Sequence, residues 1–351
     1  MRWSKKKQRP LEWLNTRIIQ IYKGKGDSAD LNNHRNIHTK EYLPKTFETI
    51  FVEKSKAKIV EKCSKYQVGA MPGHRVQEHL FTIKSIMSYY NWIDKALILN
   101  LWDLSKYFDK EVVADVMDSL YRAGIRGKLY RLWSEFNSKS VVQVVTPSGI
   151  SEKRTTGANV GQGTVGGGLA SALGLSDGMA DSFDGSSSEI YYGPVRVQPI
   201  MFQDDILKCS DDIKSAQDGC YKMEVVTGLK QLQINIDKSV FMLLGNKSRV
   251  GEIREMITRN PLLFKGQALK EKQFDKYLGD QIGESTTASV EKTVSDRYWR
   301  IMSFIREVQT VISDCRAETT GAVTSGLLLW QMAGIPVLLN NAGSWLSLIH
   351  I

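Results

Sequence analysis

One segment restricts the fold of this chain more than any other. Pro199 to Phe202 and Ile206 to Cys209 are two apolar runs of strand length, separated only by Gln203, Asp204 and Asp205. So short a connection leaves room for a tight reversal, so the runs are read as antiparallel neighbours with the two carboxylates at the tip of a hairpin. Ala96 to Trp102 (ALILNLW) is another apolar run of buried-strand length, and Asp103 stands where that strand ends. If the strand and the hairpin are adjacent, three carboxylates share one edge of a sheet. Spacing alone does not show that adjacency. Asp-Asp pairs are also common in turns, because Asp tolerates turn geometry and solvates well.

The flanking pattern supplies the rest of the layer. Thr16 to Tyr22 reads as a strand entering the basic turn Lys23 to Asp27, and Val141 to Val145 as another strand. Lys45 to Lys62 and Gln77 to Tyr90 read as helices, and Val113, Val116, Leu120 and Tyr121 fall at helical spacing with Gly124 placed to stop them. After the hairpin, Ser210, Asp211 and Asp212 form a helix start. Ile213, Ala216, Cys220, Met223 and Val226 mark its buried stripe, Gly228 its end, and Ile234 to Leu244 the next strand. The order strand, helix, strand, hairpin, helix, strand predicts an α+β layer, an antiparallel sheet backed by helices on one face.

Charge and cysteine content narrow the setting. Lys and Arg number 47 against 38 Asp and Glu, a formal charge of +9 that suits a polyanionic partner. The basic opening Lys5, Lys6, Lys7 and Arg9 fits a solvated tail as well as a site. Cys63, Cys209, Cys220 and Cys315 form no CxxC or Cys/His spacing, which argues against a structural metal or a disulfide framework and fits an intracellular, reducing compartment, nuclear or cytoplasmic. Leu11 to Tyr22 is broken by Glu12, Asn15 and Arg17 and cannot serve as a signal-peptide core, and Leu327 to Leu339 falls short of the roughly 20 apolar residues a bilayer span needs. No membrane partner is expected. The chain stops at Ile351 without a polar tail, so a fragment of a longer protein is expected.

The glycine-rich segment Gly161 to Gly167 (GQGTVGG) also matches the dinucleotide pattern GxGxxG. A nucleotide-binding βαβ unit needs a second apolar strand ending in an acid about 20 residues on, whereas Asp181 to Ser188 (DSFDGSSS) is polar and turn-like. The dinucleotide reading is therefore set aside.

Several ordered motifs carry a family resemblance across nearly the whole chain. Ile18 to Asp27 (IIQIYKGKGD), with Asn32, Asn33 and Arg35, and Tyr66 to Phe81 (YQVGAMPGHRVQEHLF) resemble the fingers motifs of reverse transcriptases of non-LTR, LINE-type retrotransposons. Asp103 to Asp109 (DLSKYFD) is similar to motif A of their palm, Gly161 to Gly167 to motif B, and Phe202 to Asp205 (FQDD) to motif C. Ile236 to Met242 (IDKSVFM) and Phe274 to Gly279 (FDKYLG) resemble motifs D and E.

The resemblance implies a right-hand polymerase fold with a ferredoxin-like antiparallel palm sheet. Fingers would occupy 1–94, palm 95–245 with the motif B loop at 157–180, a primer-grip region 246–285, and a helical thumb 286–351. The implied activity is RNA-directed DNA polymerisation from an RNA template, a DNA primer and deoxynucleoside triphosphates. Two Mg²⁺ ions, or Mn²⁺, would be held by Asp103, Asp204 and Asp205; such hard cations take oxygen ligands and can stabilise both the entering and the leaving oxygen. Phe108 would exclude a 2′ hydroxyl, unless it is plain core packing, and Lys238 would protonate the leaving pyrophosphate. Lys23, Lys25 and Arg35 would reach the triphosphate, and Gln162 and Gly163 would let nucleotide and template approach the backbone. Tyr277, Leu278 and Gly279 would form the primer grip, and Arg297, Arg300 and Arg306 would meet a nucleic-acid backbone from one helix.

This sequence departs from the family at Gln203, where many relatives have Ala, and at Gly166 to Leu169, which replace a proline-containing continuation. Nothing resembles an endonuclease, a zinc knuckle or a ribonuclease H domain. The alternative reading is a catalytically inactive transposon remnant that acts only as an RNA-binding module. Oligomeric state is not legible.

Overall fold

The computed structural model describes residues 11–146, 148–156, 161–183, 190–283 and 286–314. The basic opening, the polar stretch after Phe183, the first residues of the expected motif B loop, Cys315, the apolar run 327–339 and the end of the expected thumb lie outside these residues. The first half of the chain runs β1 (Asn15–Tyr22), β2 (His34–Lys40), α1 (Tyr42–Lys62), α2 (Val76–Trp92), β3 (Leu97–Asp103), α3 (Tyr107–Lys110), α4 (Val113–Arg122) and α5 (Gly127–Ser138). It continues through β4 (Ser140–Thr146), β5 (Gly149–Ile150), β6 (Arg154–Thr156), α6 (Gly167–Phe183), β7 (Ile190–Tyr192), β8 (Val195–Val197), β9 (Ile200–Phe202), β10 (Asp205–Ser210) and α7 (Ile213–Leu229). After β11 (Val240–Leu244) and α8 (Lys247–Arg259) come the short strands β12 (Leu263–Phe264), β13 (Gln267–Ala268) and β14 (Lys270–Glu271), the hairpin β15 (Phe274–Tyr277) and β16 (Asp280–Gly283), and α9 (Thr286–Asp314).

The central sheet has the order β14-β11-β3-β10-β9. Its pairings are antiparallel except for the parallel edge β11–β14. Alternation along β3 explains why that strand is apolar apart from Asn100 and the terminal Asp103: Ile98 and Trp102 enter one core, with α6, α7 and α8, while Leu97, Leu99 and Leu101 enter another, with α2. Helices therefore cover both faces of the sheet rather than the single face expected. A side chain buried on either face has to be apolar or hydrogen-bonded, as Asn100 is to the Ala216 carbonyl at 3.0 Å, and β3 is buried along its length up to Asp103. A second sheet, β2-β1-β4-β5 with β6 also on β4, pairs β1 and β4 in parallel.

Local chemistry sets the helix ends. Val113, Val116, Met117 and Leu120 form the buried stripe of α4, and Gly124 follows it at φ 82°. Asp212 caps α7 by accepting from the Ser215 amide at 2.7 Å. Two expectations are corrected here. Gly228 stays inside α7, and Gln231 takes the left-handed position instead, at φ 53°. The strand expected from Ile234 begins only at Val240, because Asn235 to Ser239 fold into a turn closed by the Lys238 and Ser239 amides donating to the Asn235 carbonyl. Helices α5 and α8 and the small hairpins were not read from the sequence.

Candidate active site

The acidic residues come together through strand register. Asp205 pairs directly opposite Asp103 in the antiparallel β10–β3 ladder, and opposite Phe202 across the hairpin. Gln203 and Asp204 form the turn, with Gln203 at φ 59°. Directly opposed residues share one face of a sheet with Cβ atoms about 5 Å apart, so Asp103 and Asp205 are neighbours in space although 102 positions apart in sequence.

Both strand ends are clasped. The Asp103 amide donates to Ser239 Oγ at 3.1 Å, and its carbonyl accepts from the Asn235 amide at 2.9 Å. Lys238 Nζ stands 3.7 Å from Asp103 Oδ2. Behind the hairpin, Tyr277 OH donates to the Asp205 carbonyl at 3.3 Å and lies 3.0 Å from His79 Nε2.

The electrostatics are those of an anion cluster offset in part by Lys238. Burial and the charges of Asp204 and Asp103 push the Asp205 carboxyl up to about 7. Burial raises Asp204, with a smaller push from Asp103, and burial raises Asp103 against the opposing pull of Lys238. Among the described residues no group of three or more His, Cys, Asp or Glu side chains forms a ready metal cage. That is compatible with Mg²⁺, which is usually bound by one or two carboxylates together with substrate phosphates rather than by a protein-only cage. The all-oxygen donors at Asp103, Asp204 and Asp205 and their raised pKa values fit such an ion.

Asp103 and Asp204 line a cleft of about 430 Å³ that also takes in Lys23, Arg35, Phe108, Gln162 and Lys238. Seven of the residues singled out in the sequence thus meet at one place. Lys23 is anchored at its ammonium by the Asn32 carbonyl at 3.0 Å, and Arg35 is exposed on β2. Phe108 is half-buried, packs on the core and makes an edge-to-face contact with Tyr107, so core packing and cleft wall are both true of it. Gln162 is fixed by the His38 amide donating to its carbonyl at 2.8 Å. Gly163 is not a cleft wall; a Cβ there would stand 3.1 Å from Ile37 Cγ2. Lys25 is also off the cleft, and its charge acts instead on Lys276 of β15.

Two expectations fail on burial. Arg297 points inward, 6% exposed, with NH2 2.5 Å from Asp280 Oδ1, because the buried carboxylate of Asp280 lies between it and Lys84. It cannot also reach a nucleic-acid backbone. Tyr277 is buried at 4% and supports the hairpin from behind, rather than presenting a grip. Leu278 and Gly279 form the β15–β16 turn at φ 49° and 91°, the pattern of a type I′ turn. Arg300 and Arg306 are exposed on α9.

Sequence reasoning missed Asn36, Lys106 and Asn235. Asn36 Nδ2 donates to Asp109 Oδ2 at 3.3 Å and Lys106 Nζ to Asn32 Oδ1 at 2.6 Å, tying the β1–β2 unit to the turn after β3. Lys106 sits at φ 52°, a strained position for a residue with a side chain. No local signal marks these contacts, since each joins segments far apart in sequence.

No family model matches the sequence, and no curated protein matches it. Among solved structures, the telomerase of Candida albicans in complex with a TWJ fragment of telomeric RNA is similar at 11% identity, over 97% of this chain and 56% of that one, with a TM-score of 0.50. An apo telomerase of Candida tropicalis, truncated of its C-terminal domain, is similar at 11% identity over 78% and 54%, TM-score 0.49. A chain of an RdRp complex follows at 10% identity over 65% and 20%, TM-score 0.44. The first of these carries the fold: the chain has a right-hand, reverse-transcriptase-like polymerase fold. It spans about half the length of the telomerase chains it resembles. Among the described residues no helix is long and apolar enough to cross a membrane.

Proposed function

We propose that this chain is the polymerase core of a non-LTR-type reverse transcriptase, an RNA-directed DNA polymerase that extends a DNA primer on retrotransposon RNA. The observation that carries the reading is the register of Asp103 against Asp205, with Asp204 in the adjoining turn, beside a cleft that also holds Lys23, Arg35 and Phe108. In this reading residues 1–94 are fingers, 95–245 palm, 246–285 the primer-grip region and 286–351 the thumb. The similarity to a telomerase solved with an RNA fragment supports RNA as the template partner.

Asp103, Asp204 and Asp205 would hold Mg²⁺, or Mn²⁺, which when bound neutralises charge on the entering and leaving oxygens. Lys23 and Arg35 bind the triphosphate, Lys as a mobile point charge and Arg as a planar fork. Phe108, backed by the core and Tyr107, lies under the incoming sugar and leaves no room for a 2′ hydroxyl. Lys238 donates a proton to the pyrophosphate oxygen released as the new phosphodiester forms. Gln162 meets the nucleotide at the cleft edge, and Arg300 and Arg306 meet the duplex backbone from α9.

Primer extension on an RNA template with Mg²⁺ tests the reading. Wild type extends the primer, and Asp204→Asn binds the template–primer without extending it. Binding without extension by the wild type would establish the inactive RNA-binding remnant instead, and equal extension by Asp204→Asn would remove the acidic site from the mechanism.

A further inference from the structure

The acidic turn is gripped by a residue far from it in sequence. Gln67 is 1% exposed, on the segment that crosses behind β9, where the Val68 amide donates to the Met201 carbonyl at 3.0 Å. Its Oε1 accepts from the Gln203 amide at 2.9 Å and from the Gly69 amide at 3.0 Å, while its Nε2 donates to the Gln203 carbonyl at 3.2 Å. One carboxamide therefore holds both backbone polar groups of the residue at φ 59°. The Gln203 carbonyl belongs to the peptide that enters Asp204, so fixing it fixes the direction from which that carboxylate leaves the chain. Gly69 completes the seat: a Cβ there would stand 2.2 Å from the Gln203 nitrogen. On the far side, Gln203 Nε2 donates to the Gly168 carbonyl at 3.3 Å, joining the turn to the start of α6.

We propose that Gln67 is a positioning residue for Asp204, and that with Gly69 it forms the seat that aims this carboxylate at a bound divalent cation. The proposal rests on the polymerase reading for the role of Asp204, whereas the grip itself is independent of it. Without the carboxamide, the strained turn loses two hydrogen bonds and the Gly69 amide a third, and the turn rotates about Gln203. Mg²⁺ demands near-ideal geometry and suffers most from such a rotation.

Two readouts decide it. In the metal-free protein, hydrogen exchange of the peptide spanning residues 200–206 is expected to accelerate about tenfold in Gln67→Met, the loss of one net hydrogen bond. In primer extension the same variant is expected to need roughly tenfold more Mg²⁺ for half-maximal rate, with KM for the nucleotide and Kd for template–primer within about twofold. Mn²⁺ should restore most of the rate. Gly69→Ala should reproduce this pattern, and Gln67→Glu, which keeps the acceptors and loses the donor, should fall between. Unchanged exchange, or an equal loss with both metals, overturns the proposal. If Gln67→Met does not fold, the same readouts on Gln67→Glu and Gly69→Ala decide. A wild type that never extends a primer refutes the polymerase reading but leaves the exchange test of the grip intact.

Discussion

Glu111 offers a prediction whose size and sign both follow from its surroundings. It is buried at the end of α3, where Tyr107 OH donates to its Oε1 at 2.9 Å and Ser171 Oγ donates to its Oε2. Burial raises its carboxyl to about 7 despite these two donors. In the unfolded chain the group ionises near 4.5. Between those values the folded state holds a proton that the unfolded state has released, so stability falls as pH rises through this window and stays low above it. A shift from 4.5 to about 7 corresponds to roughly 3 kcal/mol at about 1.4 kcal/mol per unit. Glu111→Gln removes that penalty but leaves one oxygen acceptor for two donors, at a cost of about 1 kcal/mol. The variant should therefore be about 1 kcal/mol less stable than wild type at pH 3.5 and about 2 kcal/mol more stable at pH 8, with the two curves crossing near pH 5. Urea unfolding of both proteins at four or five pH values measures the difference directly. Curves that run parallel from pH 5 to pH 8 would refute the argument.

Three further outcomes are expected. Asp280→Asn leaves Lys84 and Arg297 buried without a counter-charge, which should cost about 3–5 kcal/mol by denaturant titration; Lys84→Met, which spares the Arg297–Asp280 pair, should cost less. Phe108→Val should admit ribonucleotides, lowering the deoxy-over-ribo ratio of kcat/KM by roughly tenfold or more, since one steric contact is worth about 1–3 kcal/mol. Lys238→Met should lower kcat by about a hundredfold with little change in nucleotide KM, the lower range for loss of a general acid, as single-turnover extension will show.

The parts of this fold that could be read from sequence are those set by local pattern. β3 and the β9–β10 hairpin announce themselves because a strand buried on both faces must be apolar and a two-residue reversal leaves few residue types to choose from. The stripe of α7 and its Asp212 cap follow in the same way. Where local preference competes with tertiary contact, the reading fails. Asn235 to Ser239 look strand-like, yet the backbone turns there so that Ser239 and Asn235 can satisfy the amide and carbonyl of Asp103. Arg297 sits at helical spacing with Arg300, yet Asp280 draws it inward. The cleft residues Lys23, Arg35, Gln162 and Lys238 came from motif resemblance, while Asn36, Lys106 and Gln67 act through contacts that only the folded chain creates.

The same contacts explain how the chain tolerates its own acidic site. Asp103 and Asp205 oppose each other with Asp204 one residue away; burial raises all three carboxyls and the charge of Asp103 adds to the raise at Asp204 and Asp205, so the anionic cluster works against the fold that contains it. A strand pair free to slip by one residue would relieve that repulsion by sending one acid to the opposite face. Slippage is blocked at every side. Leu97 to Leu101 and Ile206 to Cys209 fill cores on both faces of the sheet, Asn235 and Ser239 clasp Asp103, and Tyr277 and Gln67 hold the hairpin from behind. Repulsion that cannot be relieved by movement can be relieved only by a proton or a cation. In the proposed polymerase, a rigid, oxygen-lined site in that condition would be prepared for a divalent ion before substrate arrives, which is why positioning residues would matter as much as the acids they hold.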